Sequence, residues 1–244
     1  MYEIIMRQLM MNQSKIHPTA VTFLFSGSMQ PIQPVTGFIS ILNLFIIMVQ
    51  ALVLDMDGVI RHLDIEVAER ASQSIGFHFD ELNEILWNNE PAHELLCGRV
   101  SRDEWWEHVQ SLDSRLGSIS SDFIFDTVLA KSYINQEVIE FVRSVSQDRV
   151  TGILSNCNEE GKIKIRHNLG ETHPFHYILS SSDFGAKKPA PEVYHGMLET
   201  IEVRAEHCTF FDDRLANVEG ARAVGIQAYL FEGVEQLRKL VRPM

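Results

Sequence analysis

Two pairs of aspartates carry the chemical promise of this 244-residue chain. Asp55 and Asp57 lie in LVLDMDGVI, residues 52–60, and Asp212 and Asp213 close TFFDD, residues 209–213. Carboxylates gathered together can hold a hard cation, attack an electrophile or move a proton. Taken alone, DMDG fits a solvated turn equally well, because Asp and Gly are ordinary turn residues. The preceding Leu52, Val53 and Leu54 favour more than a turn. A short unbroken apolar run suits a strand covered on both faces, and ligands bind beyond the carboxyl ends of such strands. A backbone that stays extended would point Asp55 and Asp57 the same way. Gly58 then lets the chain leave the strand in a conformation that side chains disfavour.

The elements around these pairs follow from periodicity. Apolar residues recur at helical spacing over 65–75, 80–88, 101–112 and 121–131. Ser101 with Glu104 three residues on is a capping-box pattern. Trp105 and Trp106 read as packing residues. From Asn135 onward helix and strand alternate. Helices are expected over 137–145, from an Asn158 cap to about 169, from Pro191, over 217–224 and over 233–241. Strands are expected at 150–154, 177–179, 209–211 and 227–231. This alternation predicts an α/β fold, a Rossmann-like parallel sheet with helices on both faces. The interval between the strands ending at Leu54 and starting at Val150 far exceeds the roughly 30 residues of a complete βαβ unit. An inserted helical cap, residues 62–133, accounts for the surplus. Residues 48–61 and 134–244 then form the α/β core, and the cap sits over the carboxyl end of the first strand as a lid.

Three further strand ends carry polar groups. GILSN ends in Ser155 and Asn156, GAKKPAPEVY carries Lys187 and Lys188 into a helix, and TFFDD supplies Asp212 and Asp213. In a parallel sheet all the carboxyl ends emerge on one edge. Four aspartates, a hydroxyl, an amide and a lysine thus become one candidate site.

The order DMDG, SN, KKPAP and DD, with Asn217 and Gly225 downstream, resembles the haloacid dehalogenase superfamily of phosphotransferases. The resemblance is to the branch with a helical cap after the first motif, and it covers about residues 49–235. It implies that Asp55 is the nucleophile that becomes an aspartyl phosphate. It makes Asp57 the general acid and later the base that activates water. Lys188, the lysine adjoining proline, matches the family position, with Lys187 left as a solvated neighbour. Ser155, Asn156 and Lys188 are expected to meet phosphate oxygens, and Mg2+ to be held by Asp55, Asp57 and Asp213 with help from Asp212. Arg214 and Asn217 can support this loop or serve as cap and surface residues. A carboxylate attacking a phosphate dianion needs such a cation, because clustered anions otherwise repel the substrate. The second aspartate favours phosphate esters over halides, since an alkoxide leaving group needs a proton and a halide does not. Hydrolysis of a small phosphorylated metabolite is therefore expected. A sugar-type phosphomutase, a haloacid dehalogenase and a catalytically silent binding module are the alternatives. Arg61, His62, Gly98 and Arg99 stand near the substrate by position alone, and a surface role suits them as well.

Composition allows a packed core and disfavours global disorder and a nucleic-acid partner. Hydrophobic residues make up 45%, enough for a core, and the net charge of -12 disfavours nucleic acid. Cys97, Cys157 and Cys208 are widely spaced, which fits a reducing cytoplasm and no structural zinc. Cys157 beside the SN motif is weighed as a nucleophile and disfavoured for want of a base at recognisable spacing. Ten scattered histidines show no HExxH pattern. The apolar run 37–49 is short for a bilayer at about 20 Å of helix against about 30 Å of hydrocarbon. Residues 1–47 are expected to be an extension outside the compact domain, or the product of too early a start codon, in preference to an anchor.

Overall fold

The computed structural model describes residues 50–129 and 132–241. The N-terminal extension, including the apolar run 37–49, lies outside the described residues. Among those described, no helix is long and apolar enough to cross a membrane.

Strand β1 (Ala51–Leu54) occupies the middle of a five-stranded sheet. Its neighbours are β4 (Val150–Ser155) and β6 (Cys208–Asp212), with β5 (Tyr177–Ser180) and β7 (Gln227–Leu230) at the edges. Every pairing is parallel, and Leu54 stands level with Ile153 on one side and Phe211 on the other. The four residues of β1 alternate between two hydrophobic clusters. Leu52 and Leu54 pack with α6 (Gln136–Val145), α7 (Glu159–Leu169) and α10 (Val234–Leu240). Ala51 and Val53 pack with α8 (Pro191–Ile201) and α9 (Leu215–Ala223). Burial on both faces is why the strand reads as an unbroken apolar run. The α/β expectation holds in full.

The interval between β1 and β4 is not wholly helical, as the sequence reading had it. Strands β2 (Arg61–Leu63) and β3 (Ser132–Ile134) form an antiparallel ribbon at its two ends. Between them run α1 (Ile65–Gln73), α2 (Phe79–Trp87), α3 (Glu90–Leu96) and α4 (Arg102–Leu112). The last, α5, is one α-turn, Ser121–Phe123, continuing as a π-helix over Ile124–Val128. These helices build a hydrophobic cluster of their own, from Phe77 to Val128. Trp105 and Trp106 lie within it, their indole N–H groups donating to the Leu86 and Ile119 carbonyls. The Ser101–Glu104 capping box is present with both of its hydrogen bonds.

Candidate active site

Strand β1 ends at Leu54, but the backbone N–H of Asp55 still donates to Phe211 O at 2.8 Å, fixing Asp55 at the sheet edge. Past Asp55 the chain turns at once. Ile60 and Arg61 N–H groups both return to Met56 O, at 3.0 and 2.7 Å. After this turn the two aspartates differ in exposure: Asp55 is buried and Asp57 exposed. Gly58 adopts φ +84°, and a Cβ there would lie 2.1 Å from Asp213 Oδ2. The Asp213 carboxylate therefore rests directly over a position that only glycine can occupy.

Lys188 is the hub of the buried part. Its ammonium donates to Asp55 Oδ1 at 2.6 Å, Asp212 Oδ2 at 2.7 Å and Leu154 O at 2.8 Å, so each of its three hydrogens has a partner. Burial works against its charge, yet Asp55 and Asp212 hold its pKa above the ordinary lysine value. Asp212 is fully enclosed, and its carboxylate also accepts from Asn217 Nδ2 at 2.9 and 3.1 Å and from Arg214 N at 2.9 Å. Asn217 is in turn placed by Tyr194, whose hydroxyl donates to its carbonyl at 2.6 Å. Burial raises Asp55 to about 7; Lys188 opposes the rise and the Asp212 charge adds to it. Asp213 is also raised, through burial and the Asp212 charge.

Asp55, Asp212 and Asp213 each offer a carboxylate oxygen within 4.8 Å of the others. Three carboxylates against one buried ammonium leave negative charge uncompensated, and an all-oxygen donor set of this kind suits a hard divalent cation. The Asp57 carboxylate, expected to join them, stands outside this cluster and is clasped by Arg61, Nε to Oδ1 at 2.6 Å and Nη2 to Oδ2 at 2.9 Å. Ser155 ends β4, buried, level with Ser180. Asn156 does something the sequence did not suggest. Its amide accepts from Lys188 N at 2.8 Å and donates to Lys188 O at 3.0 Å, across the cis Lys188–Pro189 segment. The neighbouring Cys157 thiol is pushed up to about 12 by burial, so it stays protonated and is no nucleophile.

The helical insertion lies against the core beside this site. Ser181 Oγ donates to Leu96 O at 2.5 Å, and Arg99 Nη1 to Gly185 O at 2.5 Å. A Cβ on Gly98 would meet Ser182 Cβ at 2.9 Å, so the two backbones approach closely there. His62 stacks on Tyr133 across the ribbon. Lys187, expected to be a solvated neighbour, shares a cavity of about 410 Å³ with Trp87, Asn88, Asn89, Glu90 and His93. None of those five was singled out in the sequence, where nothing marks a helix N-terminus as facing another module.

Residues 49–225 match the haloacid dehalogenase-like hydrolase family. A phosphatase of Mycobacterium tuberculosis is 26% identical over 78% of this chain and 90% of its own length. Mouse bifunctional epoxide hydrolase 2 is 22% identical over 72% of this chain, which spans only 35% of that protein. Among solved structures, an enzyme of the same family from Bacteroides thetaiotaomicron, in complex with magnesium and inorganic phosphate, superposes with a TM-score of 0.66. That pair shares 21% identity over 80% of this chain and all of the other.

Proposed function

The chain belongs to the haloacid dehalogenase-like hydrolases, and from that premise we infer that it is a magnesium-dependent phosphatase of small phosphate monoesters, acting in the cytoplasm through a covalent intermediate on Asp55. One observation carries the reading: a buried carboxylate at a central strand end, shared with Lys188 and flanked by Asp212 and Asp213 within 4.8 Å. The relative named a phosphatase, and the neighbour bearing magnesium and phosphate, support it.

Asp55 attacks phosphorus as the ester P–O bond breaks, and Asp57 gives a proton to the departing oxygen. Asp57 then removes a proton from water, which attacks the aspartyl phosphate and restores Asp55 with release of phosphate. Lys188 supplies positive charge where the nucleophile and phosphate meet, and Asn156 fixes the Lys188 backbone so that the ammonium cannot drift. Ser155, at the adjoining strand end, would donate to a phosphate oxygen. Asp55, Asp212 and Asp213 would hold Mg2+, which when bound offsets negative charge on the carboxylates and on the phosphoryl oxygens. Residues 62–133 serve as the lid that closes over the ester and excludes water, with 48–61 and 134–244 as the catalytic core.

Phosphate release from a panel of monoesters by the full chain tests this reading, combined with acid-quench trapping of radiolabelled phosphoenzyme. Label should appear on wild-type protein and vanish in Asp55→Asn, together with turnover. Undiminished hydrolysis by that variant, or a rate indifferent to chelator, would refute it.

A further inference from the structure

The Arg61–Asp57 pair has no counterpart among the motifs that identify the chain, and its placement gives it a task. Arg61 is anchored at both ends of its own backbone, its N–H to Met56 O at 2.7 Å and its carbonyl receiving Gly58 N–H at 2.7 Å. From there two guanidinium nitrogens reach the two Asp57 oxygens, the side chains being 24% and 62% exposed respectively. A forked pair of this kind fixes orientation as well as charge. Asp55 is buried and Asp57 is largely exposed, so a phosphate must reach Asp55 from the open, solvent side, with its leaving group pointing outward. Asp57 is held on that open side. Without the clasp, a flexible carboxylate two residues from Asp55 would be free to swing toward any cation held by Asp55, Asp212 and Asp213.

We propose that Arg61 is a positioning residue that keeps the Asp57 carboxylate facing the leaving group and out of the Asp55–Asp212–Asp213 cluster. The proposal rests on the acid role given to Asp57 above. It is tested by comparing an alkyl phosphate, whose leaving oxygen needs a proton, with p-nitrophenyl phosphate, whose leaving group departs readily without one. Arg61→Ala should lower kcat on the alkyl ester by at least about tenfold more than on the nitrophenyl ester, with Arg61→Lys restoring part of the difference. Substrate-free Arg61→Ala protein should also bind Mg2+ more tightly in calorimetry, because Asp57 is released to the cluster. Asp57→Asn sets the reference and should show the same split between esters. If it does, equal losses on both esters in Arg61→Ala, or unaltered Mg2+ binding, overturn the proposal. If Asp57→Asn shows no split, the acid role itself fails, and the proposal falls with it.

Discussion

Asn156 and Lys188, 32 residues apart, exchange two hydrogen bonds through one amide: the side chain of the first clamps both backbone groups of the second. The arrangement sets where the Lys188 ammonium stands between Asp55 and Asp212. Asn156→Ala removes both bonds and frees the loop without touching any acidic group. We expect kcat to fall by about 10- to 100-fold, equivalent to about 1.4–2.7 kcal/mol in the barrier. Steady-state kinetics with circular dichroism would check this, and an unchanged kcat in folded protein would contradict it.

Gly58 and Asp213 offer a second handle. Alanine at 58 must take φ +84° and place its Cβ 2.1 Å from Asp213 Oδ2, so the carboxylate has to move. Gly58→Ala should weaken Mg2+ binding at least about tenfold and cost about 1–2 kcal/mol of stability for the left-handed backbone. Calorimetric titration and urea unfolding read the two effects separately.

Burial of Asp55 makes the metal-free protein pH-sensitive. Its folded pKa, raised to about 7, exceeds the unfolded value near 3.9. The stability this group contributes is therefore fully present below about pH 3.9 and lost as pH rises through about 7. Metal-free protein should become less stable between pH 5 and 8, and Asp55→Asn should flatten that slope. A bound cation favours the carboxylate, so Mg2+ addition near pH 6.5 should release protons, visible as buffer-dependent heats.

His176 gives the opposite sign. Its Nδ1 accepts the Thr151 backbone N–H at 3.0 Å, so that nitrogen carries no proton, and desolvation of the ring's inward side holds its pKa below the ordinary 6.5 although the residue is otherwise exposed. The stability it contributes is present above pH 6.5 and lost as pH falls through the depressed folded value. Replacing the ring in His176→Gln should remove this acid-side component from urea midpoints measured between pH 5 and 7.5.

Lys188→Met would leave Asp55 and Asp212 buried beside each other with no ammonium between them. A loss of about 3–5 kcal/mol is expected, since breaking a buried ion pair strands its partners. Adding Asp55→Asn to that variant should recover part of the loss, a non-additivity that a double-mutant cycle measures directly.

Much of the sheet and the site's membership was legible because fully buried strands write themselves as apolar runs, and parallel strands deliver their ends to one edge. Thus Val150–Ser155 and Cys208–Asp212 were read nearly to the residue, and the groups after them were read as site candidates. Three-residue strands cannot show alternation, so the Arg61–Leu63 and Ser132–Ile134 ribbon was invisible: its pairing is with residues 69 to 73 positions away. Helix α3 was passed over because its seven residues are too few to show helical periodicity. The partners of Asp57 and Asn156, Arg61 and the Lys188 backbone, were not anticipated for a related reason. Side-chain direction past a strand end is decided by the turn that follows, and the partner that matters can be distant, as Lys188 is from Asn156. Gly220 carried a usable hint. A glycine inside a helix weakens it unless something must come close, and here the Pro189 carbonyl does, 2.4 Å from where a Cβ would lie.

The antiparallel ribbon has an architectural corollary. Leu63 faces Ser132 across the pair, so the outgoing and returning chains stand one strand spacing apart, about 5 Å. A tight two-residue turn can bridge that gap, and everything between could be excised or exchanged for another enclosure without disturbing the register of the five parallel strands. The sheet and the inserted helices are thus joined covalently through one pair of strands, and a redesigned insertion would have to remake contacts such as those at Ser181 and Gly185.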